Sequence, residues 1–378
     1  MDLSLLLTGL GAVLVAICQV DLFFTVLQYQ GHGLFSRWLY RGTWALATAI
    51  AGVLPGRQRP RLLAMLGPMM VVASLALWIL LAIIGFALIY YPHFTENFSL
   101  KPGVEAGLLD AIYASGVALS TVGFGDVTPI TPVFQLLTVF ESLLGFSILT
   151  LSISYILGIY GVVSLQGELG ASIRDRVGAA DDPLRLARSY AAQGAGGMES
   201  SLAALHGNLL RYHEGLLRYP VVYYFHTGHE FRSMPYVFGM VGGAAAALRW
   251  GLPRGHPLRS SAALEMLLRG FRRVVGDISG RFGARSVLDE PWIGVGSTPP
   301  SGEQREALLR RRFARLERGL AAVTPCECRH DDARRRYRAW RAFSEEIRGF
   351  VRTAAADLGY REEQFAREAP GDDEVGRA

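Results

Sequence analysis

Cysteine is scarce in this 378-residue chain: Cys18, Cys326 and Cys328 are the whole complement. Three cysteines at such spacing do not make a disulfide framework. Lysine is scarcer still, with Lys101 the one lysine among 38 basic residues. That imbalance is a compositional bias and assigns no function. Strand signals are also few, since Val221 to Phe225 is the one β-rich run and it sits among helical neighbours. Gly194-Ala195-Gly196-Gly197 has no strand before it and the wrong spacing for a GxGxxG turn, which excludes a dinucleotide-binding domain. β-rich regulatory domains fit no better. No basic n-region precedes the first apolar run, so a cleaved signal peptide is not expected. No recognition motif accompanies the net charge of +5, so nucleic acid is not an expected partner. No nucleophile–base constellation appears either, and an enzyme is not expected.

What the chain has is apolar length. Its hydrophobic residues crowd into the first 165 positions, and the remainder is polar and rich in arginine. That asymmetry predicts a membrane domain followed by a soluble one, whose positive charge suits the side of a membrane bearing anionic lipids.

Leu3 to Leu27 is long enough to span a bilayer, which takes about 20 apolar residues. It carries Asp21, for which an arginine of the following loop is the expected partner. The segment from residue 29 to 61 holds His32, Arg37, Arg41, Arg57, Arg59 and Arg61, which places it on the cytoplasmic side. Within it, Trp38 to Leu54 is expected to lie in the interface as an amphipathic helix, a short span being the alternative. Leu62 to Tyr91 is the second clear span. Phe94 to Gly107 is a short external loop, and Leu108 to Ser120 is too short to span but suits a re-entrant helix. The negative end of that helix's dipole favours a cation beyond its C-terminus. Val133 to Val163 is the last span.

Between the re-entrant helix and the last span lies Ser120-Thr121-Val122-Gly123-Phe124-Gly125-Asp126. Stacked backbone carbonyls can replace the water shell of a dehydrated potassium ion. Aiming successive carbonyls inward requires a backbone that alternates through positive φ, which Gly123 and Gly125 reach at little cost. Thr121 can add its hydroxyl. Val122 and Phe124 would pack behind the row, and Asp126 would stand at the outer mouth and tie the loop to the re-entrant helix.

The run TVGFGD, in the order span, pore helix, filter, span, resembles the pore-loop potassium channels over roughly residues 62 to 164. Tyr113-Ala114-Ser115 is similar to that family's pore helix. The resemblance implies that Thr121, Val122, Gly123, Phe124 and Gly125 bind K+ ions, and no organic cofactor is expected. One filter per chain implies a homotetramer in the lipid bilayer of the cell (inner or plasma) membrane. Phe124 stands where tyrosine is usual, so no phenol from that position can tie the filter to its pore helix. Ala118 and Ser120 stand where threonines are frequent, which thins the hydrogen bonding there. Gly145 lies near the usual place of a hinge glycine, and Gly158 and Gly161 are further hinge candidates, with close helix packing the alternative for each. Glu141 is a candidate to hold the filter from behind by bonding to the pore helix, with burial against water near the outer face the alternative. A voltage sensor is not expected, because neither of the first two spans repeats arginine at every third residue.

The expected fold is thus an all-α membrane protein: a tetrameric pore-loop potassium channel pore domain with an extra N-terminal transmembrane helix and a cytoplasmic all-helical C-terminal domain. The expected divisions are 1–61, 62–164, 165–367 and a disordered tail at 368–378. In the soluble half, Asp182-Pro183 reads as a helix start, Ser301 with Gln304 as a capping box. Leu308 to Leu320 and Ala333 to Ala356 read as helices. Met234 to Leu248 is expected as a core helix at the tetramer interface. His206, His213, His226 and His229 form a candidate sensor for a divalent metal or for pH, with solvated or core-satisfied histidines the alternative. Cys326-Glu327-Cys328 with His330 and Asp331 is a CxC pattern in which reduced thiols are expected, a structural zinc site being the alternative. An unidentified cytoplasmic ligand or protein is a candidate partner.

Overall fold

A computed structural model describes residues 3–28, 33, 36–53, 59–101, 106–178, 181–226, 229–282, 302–324 and 332–360. Ser301, residues 294–301 of the Gly/Ser/Pro-rich loop, Cys326, Cys328, His330, Asp331 and the tail lie outside these. The chain forms two compact units: residues 1–54, 65–161 and 216–225 make the first, and 55–64, 162–215 and 226–378 the second.

In the first unit, α1 (Leu3–Leu22) runs on into a π-helical turn at Phe23–Leu27. α2 (Ser36–Val53) follows, then α3 (Arg59–Tyr90), whose residues from Met65 belong to this unit. Leu3–Leu27, Leu62–Asn97 and Pro132–Val177 are the three described helices long and apolar enough to cross a membrane. α2 is not among them. It is two-faced instead, with Tyr40 and Trp44, one turn apart, buried while Trp38 and Leu46 are exposed.

α1 packs on α3 through small residues. A Cβ on Gly11 would lie 2.4 Å from the Gly85 carbonyl oxygen, so only glycine lets the two backbones approach. Cys18 Sγ donates to the Trp78 carbonyl at 3.2 Å. Trp78 Nε1 donates to Asp21 Oδ2 at 2.8 Å, so a buried indole of α3 is a partner of this acid.

A short helix α4 (Phe94–Asn97) leads into β1 (Phe98–Leu100). The re-entrant helix is α5 (Leu108–Leu119). β2 (Val127–Pro129) pairs antiparallel with β1, Ser99 opposite Thr128. This three-residue pairing carries no sequence signal and adds a small sheet to an otherwise helical fold. Phe86, Tyr90, Phe94 and Phe98 bury their rings against Ala111 and Ala114, fixing α5 to α3. Compact aromatic contacts at 5.0–5.5 Å, including Phe98 on Phe134, extend that cluster to the next helix.

That helix, α6 (Pro132–Val177), has 46 residues. At roughly 1.5 Å per residue it is about 70 Å long, more than twice the about 30 Å of bilayer hydrocarbon. It therefore continues past the membrane, and the first unit ends on it at Gly161.

The second unit takes the rest of α6 with α7 (Pro183–Ala191), α8 (Gly194–Arg218, to Gly215), α9 (Met234–Ala246), α10 (Ala262–Phe282), α11 (Gly302–Ala321) and α12 (Ala333–Asp357). α7 starts as its sequence predicts: Asp182 accepts from the Leu184 N–H at 2.9 Å, and Pro183 fixes the first helical φ. α9 is the core of this unit. Tyr236, Val237, Phe238, Met240 and Val241 are all buried, and at Gly242 an added Cβ would meet Phe271 of α10 and Ile347 of α12 at 2.7 Å each. The burial lies within one chain, which corrects the expectation that this segment sits at a subunit interface. Apolar sequence reports that a helix is covered and does not say by which copy.

Arg336 is the largest buried charge of the unit. Its guanidinium meets Asp332 Oδ1 at 2.8 Å and Glu317 Oε1 at 2.6 Å, and donates to the Trp250 and Gly251 carbonyls at 3.0 and 3.2 Å. Those carbonyls end the π-helical stretch Ala247–Gly251, so the arginine closes a helix terminus that would otherwise bury bare acceptors.

Candidate functional site

The loop after α5 is where backbone conformation departs from the ordinary. Thr121, Gly123 and Gly125 have φ of +61°, +63° and +71°. Positive φ at every second residue turns successive peptide planes alternately, which is the pattern needed to aim a run of carbonyls to one side. Glycine was expected at two of these positions. Thr121, a β-branched residue, holds the third against its steric preference. All five residues from Thr121 to Gly125 are exposed, with Val122 at 55% and Phe124 at 64%.

Two connections enter the loop from α5. The Thr121 N–H donates to the Ala118 carbonyl at 3.0 Å and the Val122 N–H to the Val117 carbonyl at 3.2 Å, closing the helix end. At the far side, Tyr113 Oη donates to Asp126 Oδ2 at 2.6 Å. A phenol therefore does tie the loop to the pore helix, but from α5 to Asp126 where the usual tyrosine would act from position 124. The Lys101 N–H donates to the Asp126 carbonyl at 3.0 Å, joining the loop to the end of β1.

Behind the loop, Glu141 of α6 is completely buried. It accepts from Ser115 Oγ on α5 and, at 2.6 Å, from Tyr90 Oη on α3. One carboxyl thus joins the three helices that carry the loop. Ser142 Oγ donates to the Ala118 carbonyl at 2.9 Å, a further bond from α6 to the end of α5.

Gly145 sits where α6 meets the end of α5. A Cβ there would lie 1.9 Å from the Leu119 carbonyl oxygen. Close approach is a sufficient reason for a glycine at this position. At Gly158 a Cβ would lie 2.2 Å from Tyr219 Oη, again a packing position, while Gly161 has no atom within 4 Å of an added Cβ. α6 is one continuous helix through all three.

The histidines do not converge. His206 and His213 both face α10, as their two-turn spacing predicts: His206 lies against Gly270, and His213 Nε2 is 3.2 Å from Asp277 Oδ2. Burial holds both below the usual imidazole range, outweighing Asp277 at His213. His226 stacks on Tyr360 at 4.0 Å between centroids, and burial pushes it down to about 4. His229 stacks on Phe231. Among the described residues no three His, Cys, Asp or Glu side chains group to hold a metal ion. A loop and a 3-10 turn separate the pairs, and nearness in sequence does not survive them.

The geometry defines a class: a re-entrant helix and an exposed loop of alternating φ, held between two long apolar helices. Comparison with known proteins gives the same class. Residues 74–160 match the family model described as "Ion channel", so this stretch is a pore-loop ion-channel domain. The chain is 29% identical over 167 residues to the "Uncharacterized membrane protein YdjJ" of Bacillus subtilis (strain 168), covering 43% of this chain and 47% of that one. It is 33% identical over 75 residues to "Two pore potassium channel c" of Oryza sativa subsp. japonica, covering 20% of this chain and 16% of that one. The chain therefore spans less than half the length of each of these relatives. No solved structure matches.

Proposed function

We propose that this protein is a potassium-selective channel, a homotetramer in the cell membrane whose C-terminal helical unit lies in the cytoplasm and gates or assembles the pore. The observation that carries this reading is the alternation of positive φ at Thr121, Gly123 and Gly125 inside the run TVGFGD. In a fourfold ring, carbonyls from Thr121 to Gly125, with the Thr121 hydroxyl, replace the hydration shell of K+, and ions step between adjacent sites down their gradient. Asp126 at the outer mouth attracts cations. The tetramer is supported by what a single copy leaves uncovered. The loop carbonyl segment is exposed, and α6 exposes Val133, Leu136, Phe140, Leu143 and Leu157, at 50–73%, along its length. A polar ion path cannot face lipid unshielded. The potassium named for the rice relative fits the same ion.

The test is flux from the purified full-length chain in liposomes, with potassium and sodium run in parallel. Potassium flux without sodium flux is expected. Equal flux of both ions would replace this reading with a weakly selective cation channel, the reading that Phe124 would then favour. No flux of either ion would leave a membrane signalling protein as the better account.

A further inference from the structure

A short segment of the C-terminal half belongs to the first unit. Leu216–Phe225 leaves the end of α8 and packs among the membrane helices. Pro220 starts a 3-10 turn over Pro220–Tyr224, held by Val222 N–H to the Tyr219 carbonyl and Phe225 N–H to the Val222 carbonyl, both at 3.0 Å. Val221, Val222 and Tyr223 are buried. The turn therefore presents its aromatic residues from a fixed frame.

Each of three aromatic residues meets a different membrane-unit helix. Tyr219 lies on α6, its ring 5.7 Å from that of Tyr155 and its hydroxyl in the space left by Gly158. Phe225 lies on α3, filling the space left by Gly67, where an added Cβ would be 2.6 Å from the ring, and it also meets Tyr160 of α6 edge-on at 6.2 Å. Tyr224 meets Trp44 of α2 at 5.3 Å. Tyr155 is held from its other side as well, by Tyr40 Oη of α2 at 3.0 Å and by the Trp78 ring of α3 at 6.2 Å. Two glycines on two helices thus each make room for one aromatic of the same turn. Neither coincidence follows from helix packing in general.

We infer that Tyr219–Phe225 is a positioning element for α6: it wedges between α2, α3 and the Tyr155–Tyr160 stretch and sets where that stretch stands relative to the ion path. The inference rests on the channel reading for its functional consequence, but the wedge itself is a physical claim about α6. Displacing the wedge changes the placement of α6, and with it flux, without touching the selectivity loop.

The experiment uses the full-length chain. Gly158→Ala puts a methyl where Tyr219 Oη stands and expels the ring, and Tyr219→Ala removes the ring. Both are expected to change potassium flux in the same direction, by about tenfold each, the size of a typical coupling between two states. The double variant is expected to match either single variant, because the methyl then has nothing to displace. Tyr219→Phe, which keeps the ring, is expected to behave as the wild type. Hydrogen exchange on the same samples reads α6 independently of flux: residues 150–165 should lose protection in Tyr219→Ala while residues 108–126 keep theirs. Additive effects in the double variant, or unchanged exchange at 150–165, would overturn the wedge. If the wild type conducts nothing, the channel reading fails, and the exchange result alone decides the wedge.

Discussion

The two units of this chain are built with opposite polarity. In the first, Glu141 and Asp21 are buried while Leu3 and Leu5 of α1 and Val72 of α3 stand 64–71% exposed. In the second, the apolar residues of α9 are buried, and Arg310, Arg311, Arg318, Arg334, Arg335 and Arg338 of α11 and α12 are exposed. A protein turns outward what its solvent accepts, so the contrast is one between lipid and water. It also separates two kinds of internal bond. The first unit buries acids that accept hydrogen bonds from Ser115, Tyr90 and Trp78, in helices whose apolar faces give no specificity among themselves. The second buries apolar area and uses Arg336 to close a helix end.

If that contrast is right, lesions in the first unit reach conduction, and lesions in the second act on folding alone. The largest effect should come from Gly123→Ala, which puts a side chain at a φ of +63°. At about 1–2 kcal/mol per residue, repeated around the proposed ring, potassium flux should fall about 100-fold or more while membrane insertion survives. Flux assays on matched amounts of inserted protein check this. Arg336→Met should come next. It removes the buried cation from Glu317 and the donor from the Trp250 and Gly251 carbonyls, while Asp332 keeps Arg259 at 3.0 Å, and the lost bonds cost about 3 kcal/mol. Thermal unfolding should show the loss, and potassium-over-sodium selectivity should not change in the protein that remains folded. A shift in selectivity would break the comparison.

Glu141→Ala removes the acceptor that Ser115 and Tyr90 share and leaves them the Ile83 carbonyl at 3.1 Å and Thr138 Oγ1 at 3.4 Å, so the loss is about 1–3 kcal/mol for the pair. Glu141→Gln, which keeps one acceptor oxygen, should lose less. Both should lower the melting temperature and the steadiness of potassium current together, since one carboxyl joins α3, α5 and α6. The smallest effect is a pH slope in the second unit. His226 is held near about 4 against 6.5 when free, so the unfolded chain binds the proton first. Its contribution to stability is complete above pH 6.5 and is lost as pH falls towards about 4. Chemical unfolding between those limits should show the slope, and His226→Gln should flatten it.

Much of the first unit was legible because its chemistry is local. The run TVGFGD names its own backbone: glycines stand where positive φ is required. The spans announce themselves by length. What could not be read was what depends on a partner chosen in three dimensions. Thr121 carries positive φ with no glycine to mark it. The loss of a phenol at Phe124 looked like a missing tie, yet Tyr113, thirteen residues earlier, supplies one to Asp126. Nothing in the sequence marks the close approach of Leu119 to Gly145 or of Tyr219 to Gly158. In the second unit the Asp182-Pro183 pair marked the start of α7, and periodicity gave α11 and α12. It could not say that α9 is covered by its own chain, or that His206, His213, His226 and His229 point to different neighbours.

The account stands on one claim, that residues 121–125 form a file of carbonyl sites for a dehydrated monovalent cation. The most direct test is an anomalous difference map from crystals of the full-length protein grown with thallium(I), a stand-in for K+. The account predicts a row of peaks on a fourfold axis beside Thr121, Val122, Gly123 and Phe124. Thallium peaks only elsewhere, or copies arranged so that these loops do not meet, would contradict it.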